Sequence, residues 1–129
     1  MKKFLFAAVA ALALAGCGGG GGDGAVDLTG DWRGTATITF NGVVSSGSGT
    51  WKLAQSGSQV TGVSIGDNGT SSTIDATFNG NTLTGISSPS NPNNCSSQFV
   101  LTYNNNTLTG QAVTINCTEY IAATVTLRR

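Results

Sequence analysis

From Asp31 onward the apolar residues recur at every second position. Trp32, Gly34, Ala36, Ile38 and Phe40 share one face, and Arg33, Thr35, Thr37 and Thr39 share the other. This is the period of a β-strand with one buried face. Asn41-Gly42 follows, the strongest short hairpin signal, because both positions tolerate the positive φ of a type I′ turn. Val43, Ser45, Gly47, Gly49, Trp51, Leu53 and Gln55 then carry the inward phase along a second strand.

Three copies of one pattern come next: Gln55-Ser-Gly-Ser-Gln-Val60-Thr-Gly62, Phe78-Asn-Gly-Asn-Thr-Leu83-Thr-Gly85 and Tyr103-Asn-Asn-Asn-Thr-Leu108-Thr-Gly110. Each predicts a hairpin with a two-residue loop, pairing Gln55 with Val60, Phe78 with Leu83 and Tyr103 with Leu108 on the inner face. Beyond each closing glycine the pattern slips, since Val63, Ile86 and Val113 fall out of phase, which predicts a bulge or sharp bend at Gly62, Gly85 and Gly110. The final strand is clean again, with Ile121, Ala123, Val125, Leu127 and Arg129 on one face. The expected fold is all-β: an eight-stranded antiparallel up-and-down β-barrel, following an N-terminal helical signal peptide. Closure removes both exposed edges. A two-sheet sandwich is the competing arrangement, because strand count alone does not separate them.

In a meander the connections alternate between ends. The loops at 57–58, 80–81 and 105–106 therefore share one end with both termini. The other end collects Asn41-Gly42, Gly66 to Gly69, Pro89 to Ser97 and Asn116 to Glu119, and these longer loops mark it as the mouth. Cys95 and Cys117 both fall there, so a disulfide is expected, worth about 3 kcal/mol for a loop of about 22 residues. A reactive thiol and a metal site are the weaker alternatives. The chain has no histidine, and two thiolates fall short of a four-ligand zinc site.

The first residues follow a different rule. Met-Lys-Lys, an apolar run from Phe4 to Ala15, and Gly16-Cys17 give the charged, apolar and small-residue order of a secretory signal. Twelve helical residues rise about 18 Å, too little for roughly 30 Å of hydrocarbon, so the run cannot remain as a span. Leu14-Ala15-Gly16-Cys17 resembles the lipobox of bacterial lipoproteins. That resemblance implies a diacylglycerol on Cys17, cleavage before it, and attachment of the protein to a membrane through covalent lipid. The expected organisation is a signal peptide at 1–16, the lipidated cysteine and glycine-rich tether at 17–27, and a β-barrel domain at 28–129. Gly18 stands where enterobacterial lipoproteins retained at the inner membrane carry aspartate. The expected location is the cell envelope, at the outer membrane, facing the periplasm or the surface.

Removing Lys2 and Lys3 from six cationic residues leaves Arg33, Lys52, Arg128 and Arg129 against six carboxylates. The mature chain is thus mildly acidic and has no basic stripe to neutralise phosphates, which argues against nucleic-acid partners.

Gly30-Asp31-Trp32 opens the first strand and Leu127-Arg128-Arg129 closes the last, and here the chain resembles the calycin group, which includes lipocalins and avidins. The resemblance implies an arginine laid across the first-strand tryptophan as a floor cap. Arg129 is in phase with the inward face and is the candidate partner of Trp32. Biotin binding does not carry over, because Trp51 is the one further tryptophan.

Eight strands enclose room for side chains or for one small ligand. Phe40, Trp51, Phe78, Phe99 and Tyr103 are the candidate ligand-lining residues, while inward Gly47, Gly49, Ala76, Gly85, Gly110, Ala112 and Ala123 leave space. The carboxylates Asp23, Asp27, Asp31, Asp67, Asp75 and Glu119 form no convincing pair, and serine has no histidine base. No catalytic residue, metal or cofactor is therefore assigned, and enzyme activity is not expected. The leading reading is a binding protein for a small apolar ligand. The alternatives are a protein-binding module or hydrolase inhibitor acting through the mouth loops, and a structural envelope accessory. Membrane-bound lysozyme inhibitors are similar in kind, but their Ser-Gly-x-x-Tyr loop is missing, since Ser48-Gly49 leads to Thr50-Trp51-Lys52.

Overall fold

The computed structural model describes residues 26–129. The signal peptide, Cys17 and the glycine run lie outside the described residues. Eight strands follow in order: β1 (Gly30–Phe40), β2 (Val43–Ser56), β3 (Gln59–Gly66), β4 (Ser71–Phe78), β5 (Thr82–Pro89), β6 (Ser97–Asn104), β7 (Thr107–Thr114) and β8 (Ala122–Arg128). Each pairs antiparallel with the next, and β1 also pairs with β8, closing the barrel without a crossover. A sandwich is thereby ruled out. Thr35, for example, is paired with Ser48 on one side and Thr126 on the other.

Turn chemistry sets the register. Asn41 and Gly42 adopt φ of 52° and 78°, and Asn105 and Asn106 adopt 52° and 58°, as type I′ turns require. The β4–β5 connection is built differently: the Asn79 side chain accepts hydrogen bonds from the amides of Asn81 (2.9 Å) and Thr82 (2.7 Å). Gln55, Phe78 and Tyr103 pair with Val60, Leu83 and Leu108, as the repeat predicts.

The expected bulges are not there. The ladders run unbroken through Gly62, Gly85 and Gly110. A Cβ on Gly62 would collide with the Lys52 carbonyl, one on Gly110 with the Val100 carbonyl, and one on Gly85 with Ala76 and the Asp75 carbonyl. The three glycines keep the inward phase and let the neighbouring backbone come close where the sheet coils. Val63 and Ile86 are simply outward and exposed. The apparent slip comes from apolar residues standing on the outer face.

Inside, the packing is uneven along the barrel axis. Leu28, Trp32, Leu53, Val60, Ile74, Ala76, Phe78, Leu83, Phe99, Leu101, Leu108, Val125 and Leu127 form one buried cluster, and most sit towards the two-residue turns. Towards the mouth the inward positions become Ser45, Gly47, Ser64, Gly66, Ser72, Ser87 and Ser97. The outer wall is polar, with Thr35, Thr126, Thr109 and Thr102 paired directly across four adjacent strands. A membrane-spanning barrel carries a continuous apolar band outward; here the buried cluster faces in, and Val63, Ile65, Ile86 and Val100 stand among the outward threonines. Among the described residues, no helix is long and apolar enough to cross a membrane.

Candidate functional site

The floor is closed by side chains from both ends of the chain. Trp32 is fully buried, and its indole Nε1 donates to the Leu28 carbonyl at 2.9 Å. Arg129 lies over the ring, its Cζ 4.7 Å from the centroid, within range of a cation–π contact. Its Nη1 donates to the Asp27 carbonyl at 2.7 Å, and its Nε to Asn106 Oδ1 at 3.2 Å. Tyr103 stands edge-on to both Trp32 and Phe78, with ring centroids 6.3 Å apart in each case.

The open half holds a cavity of about 430 Å³ against β1, β2, β3 and β8. Its apolar walls are Ala36, Ile38, Trp51, Val125 and Leu127, and Gly47 and Gly49 keep one side free of side chains. Trp51 is held edge-to-face on Phe99 at 5.1 Å, so its position is set by the buried core beneath. A Cβ on Gly47 would touch nothing within 4 Å. That space is real room, whereas the space expected at Gly85 and Gly110 is already occupied.

The rim comes from the β3–β4 loop, which brings Asp67, Asn68 and Thr70 to the opening. Arg33 reaches across the outside of β2 to hold this loop: Nη1 donates to Asp67 Oδ1 at 2.7 Å and Nη2 to Oδ2 at 2.5 Å, while Nη1 also lies 3.3 Å from Thr50 Oγ1. The hydrogen bond from Arg33 chiefly holds the Asp67 carboxyl below its ordinary value; slight desolvation opposes it and charge attraction adds to it. The Asp67 amide donates to the Ser48 carbonyl at 2.9 Å. Asn68 then turns the loop by accepting from the Thr70 amide and hydroxyl.

Of the five aromatic residues expected to line a ligand site, Trp51 is the one on this cavity. Phe78 and Phe99 are buried and with Tyr103 fill the lower barrel, because their strands carry large side chains on the facing positions too. Phe40 sits beside the β1–β2 turn, opposite Val43, outside the lining. Arg33 and Asp67 were not legible as partners: they lie 34 residues apart, on elements separated by β2. Cys95 and Cys117 form a disulfide with Cα atoms 5.7 Å apart, tying the β5–β6 and β7–β8 loops at the mouth. Asp31 lies on the outer face beside Lys52, and Asp75 accepts from Gln59 there. No three metal-binding side chains converge among the described residues.

Residues 1–17 match the family model of the prokaryotic membrane lipoprotein lipid attachment site. The chain is thus a lipid-anchored protein of the prokaryotic cell envelope, attached at Cys17 and carrying a barrel. No curated protein and no solved structure matches it.

Proposed function

We propose that this lipid-anchored protein is a binding protein that holds a small apolar group in the open half of a lipocalin-like barrel, turned away from the membrane. The observation that carries the reading is the cavity of about 430 Å³, which combines apolar walls, a few polar rim groups and a floor sealed by Trp32. Sites for small ligands are concave and mostly apolar, with few polar groups setting orientation. Its one titratable lining residue, Asp67, is already engaged by Arg33, so the reading is retention of a ligand without turnover. Val26 and Leu28 pack into the floor cluster, so the tether joins the barrel at the end opposite the mouth. An outer-membrane position, with the mouth towards the periplasm or the surface, completes the proposal.

The test is a titration of the lipoprotein in detergent with N-phenyl-1-naphthylamine, read by energy transfer from tryptophan. Saturable binding is expected, with transfer reduced in Trp51→Phe, where Trp32 in the floor remains as a donor. In Gly47→Leu, which fills the space with side chain, affinity should fall about tenfold or more. Equal binding by Gly47→Leu would overturn the reading. Native mass spectrometry of protein from its own host provides the second check, since a chain that never retains a small mass favours a structural accessory.

A further inference from the structure

β2 is longer than the strand that should cover it. It pairs with β1 from Gly30 opposite Leu53 to Phe40 opposite Val43. Its ladder with β3 begins only at Gly49 opposite Gly66, where β3 ends and the chain turns away. The bond from the Asp67 amide to the Ser48 carbonyl is the last on that side. Among the described residues, 43–47 therefore have a partner on one edge only. Backbone groups alternate sides along an antiparallel strand. Because Ser48 points its carbonyl to the β3 side, Ser46 and Val44 also direct their N–H and C=O groups there, into open space.

We propose that this free edge of β2 receives an added β-strand from an extended, uncharged segment of another polypeptide, one side chain of which enters the cavity. The inference rests on the cavity reading for that side chain alone. The unpaired amides and carbonyls of Val44 and Ser46 fit another backbone and little else. Protein edges are normally blunted by proline, lysine or a bulge, and Val-Val-Ser-Ser-Gly has none of these. Val43 and Val44 are 67% and 63% exposed, flanking the edge on its two faces. The nearest charge, Asp67, is neutralised by Arg33, so nothing selects a charged partner. Ser46, Gly47 and Ser48 line both the edge and the cavity, which makes the two one continuous site. A second copy of this chain fits less well: two hairpin tips meeting over five residues bury far less than the roughly 1,000 Å² of a stable interface.

The experiment screens a positional library of capped, uncharged heptapeptides against the isotope-labelled lipoprotein in micelles. Selected peptides should shift and protect the amides of Val44 and Ser46 and compete with N-phenyl-1-naphthylamine. N-methylation at alternate peptide amides should weaken them about tenfold, as loss of two hydrogen bonds implies. Val44→Pro, which removes an outward N–H outside the cavity lining and leaves the β1 ladder intact, should weaken them equally while naphthylamine binding stays within about twofold. Peptide binding indifferent to N-methylation, no selected peptide at all, or a dimer sealed through Val44 would each overturn the inference. If naphthylamine still binds in those cases, the cavity reading survives; if it does not bind either, both fall.

Discussion

The two ends of this barrel are built from the same strands and serve opposite purposes. At the floor, two-residue turns, a buried tryptophan and an arginine cap leave no space. At the mouth, glycine and serine occupy the inward positions, and three of the four loops are longer. Order there is supplied by a disulfide and by one arginine clamp. A closed barrel must bury large side chains somewhere to be stable, and it can leave space only where other constraints replace them. Segregating these demands along the axis lets one small domain satisfy both.

The contrast predicts a graded set of responses. Trp32→Ala should cost about 3–5 kcal/mol in urea unfolding, and Trp51→Ala about half of that or less, because only the first is fully enclosed. Equal losses would break the distinction between the ends. Replacing both Cys95 and Cys117 by serine should cost about 3 kcal/mol globally, with amide exchange accelerating first in residues 90–96 and 115–121. Acceleration first at the floor would contradict the assignment.

Glycine substitutions sharpen the comparison within a single residue type. Gly62→Ala should destabilise by about 1–3 kcal/mol, since its Cβ has nowhere to go. Gly47→Ala, facing open space, should stay within about 0.5 kcal/mol of the parent or gain slightly. The smallest effect belongs to Asp67. Its carboxyl titrates below the ordinary value of 3.8 in the folded protein. The stabilisation it supplies is therefore present above pH 3.8 and is lost as pH falls through the lower folded value. At neutral pH the clamp stays closed. A carboxyl titration by NMR should show the depressed midpoint, and Asp67→Asn should loosen residues 66–70 with no measurable change in global unfolding. A midpoint at or above the ordinary value would remove the clamp from the account.

Much of the architecture is legible before folding. Two-residue turns specify a register outright, which is why Gln55, Phe78 and Tyr103 could be paired with Val60, Leu83 and Leu108. Parity of a meander places Cys95 and Cys117 at one end without reference to distance. The repeated glycines are ambiguous for a physical reason: an out-of-phase apolar residue after glycine has the same one-dimensional pattern whether the strand bulges or that residue merely faces water. The cavity was half-legible. Gly47 announces a missing side chain and faces room, yet Gly49, Gly85 and Gly110 announce one equally and lie against neighbouring backbone.

By itself, then, the amino-acid order determined the lipid attachment at Cys17, eight alternating strands, the turns between them and the mouth-side disulfide. These depend on local periodicity, on positive φ and on counting. Tertiary structure alone decided where space remains, that Arg33 meets Asp67 across an intervening strand, and that β2 outruns β3. Those outcomes depend on which side chains face each other across a closed, coiled sheet, and that is a relation among residues far apart in the chain.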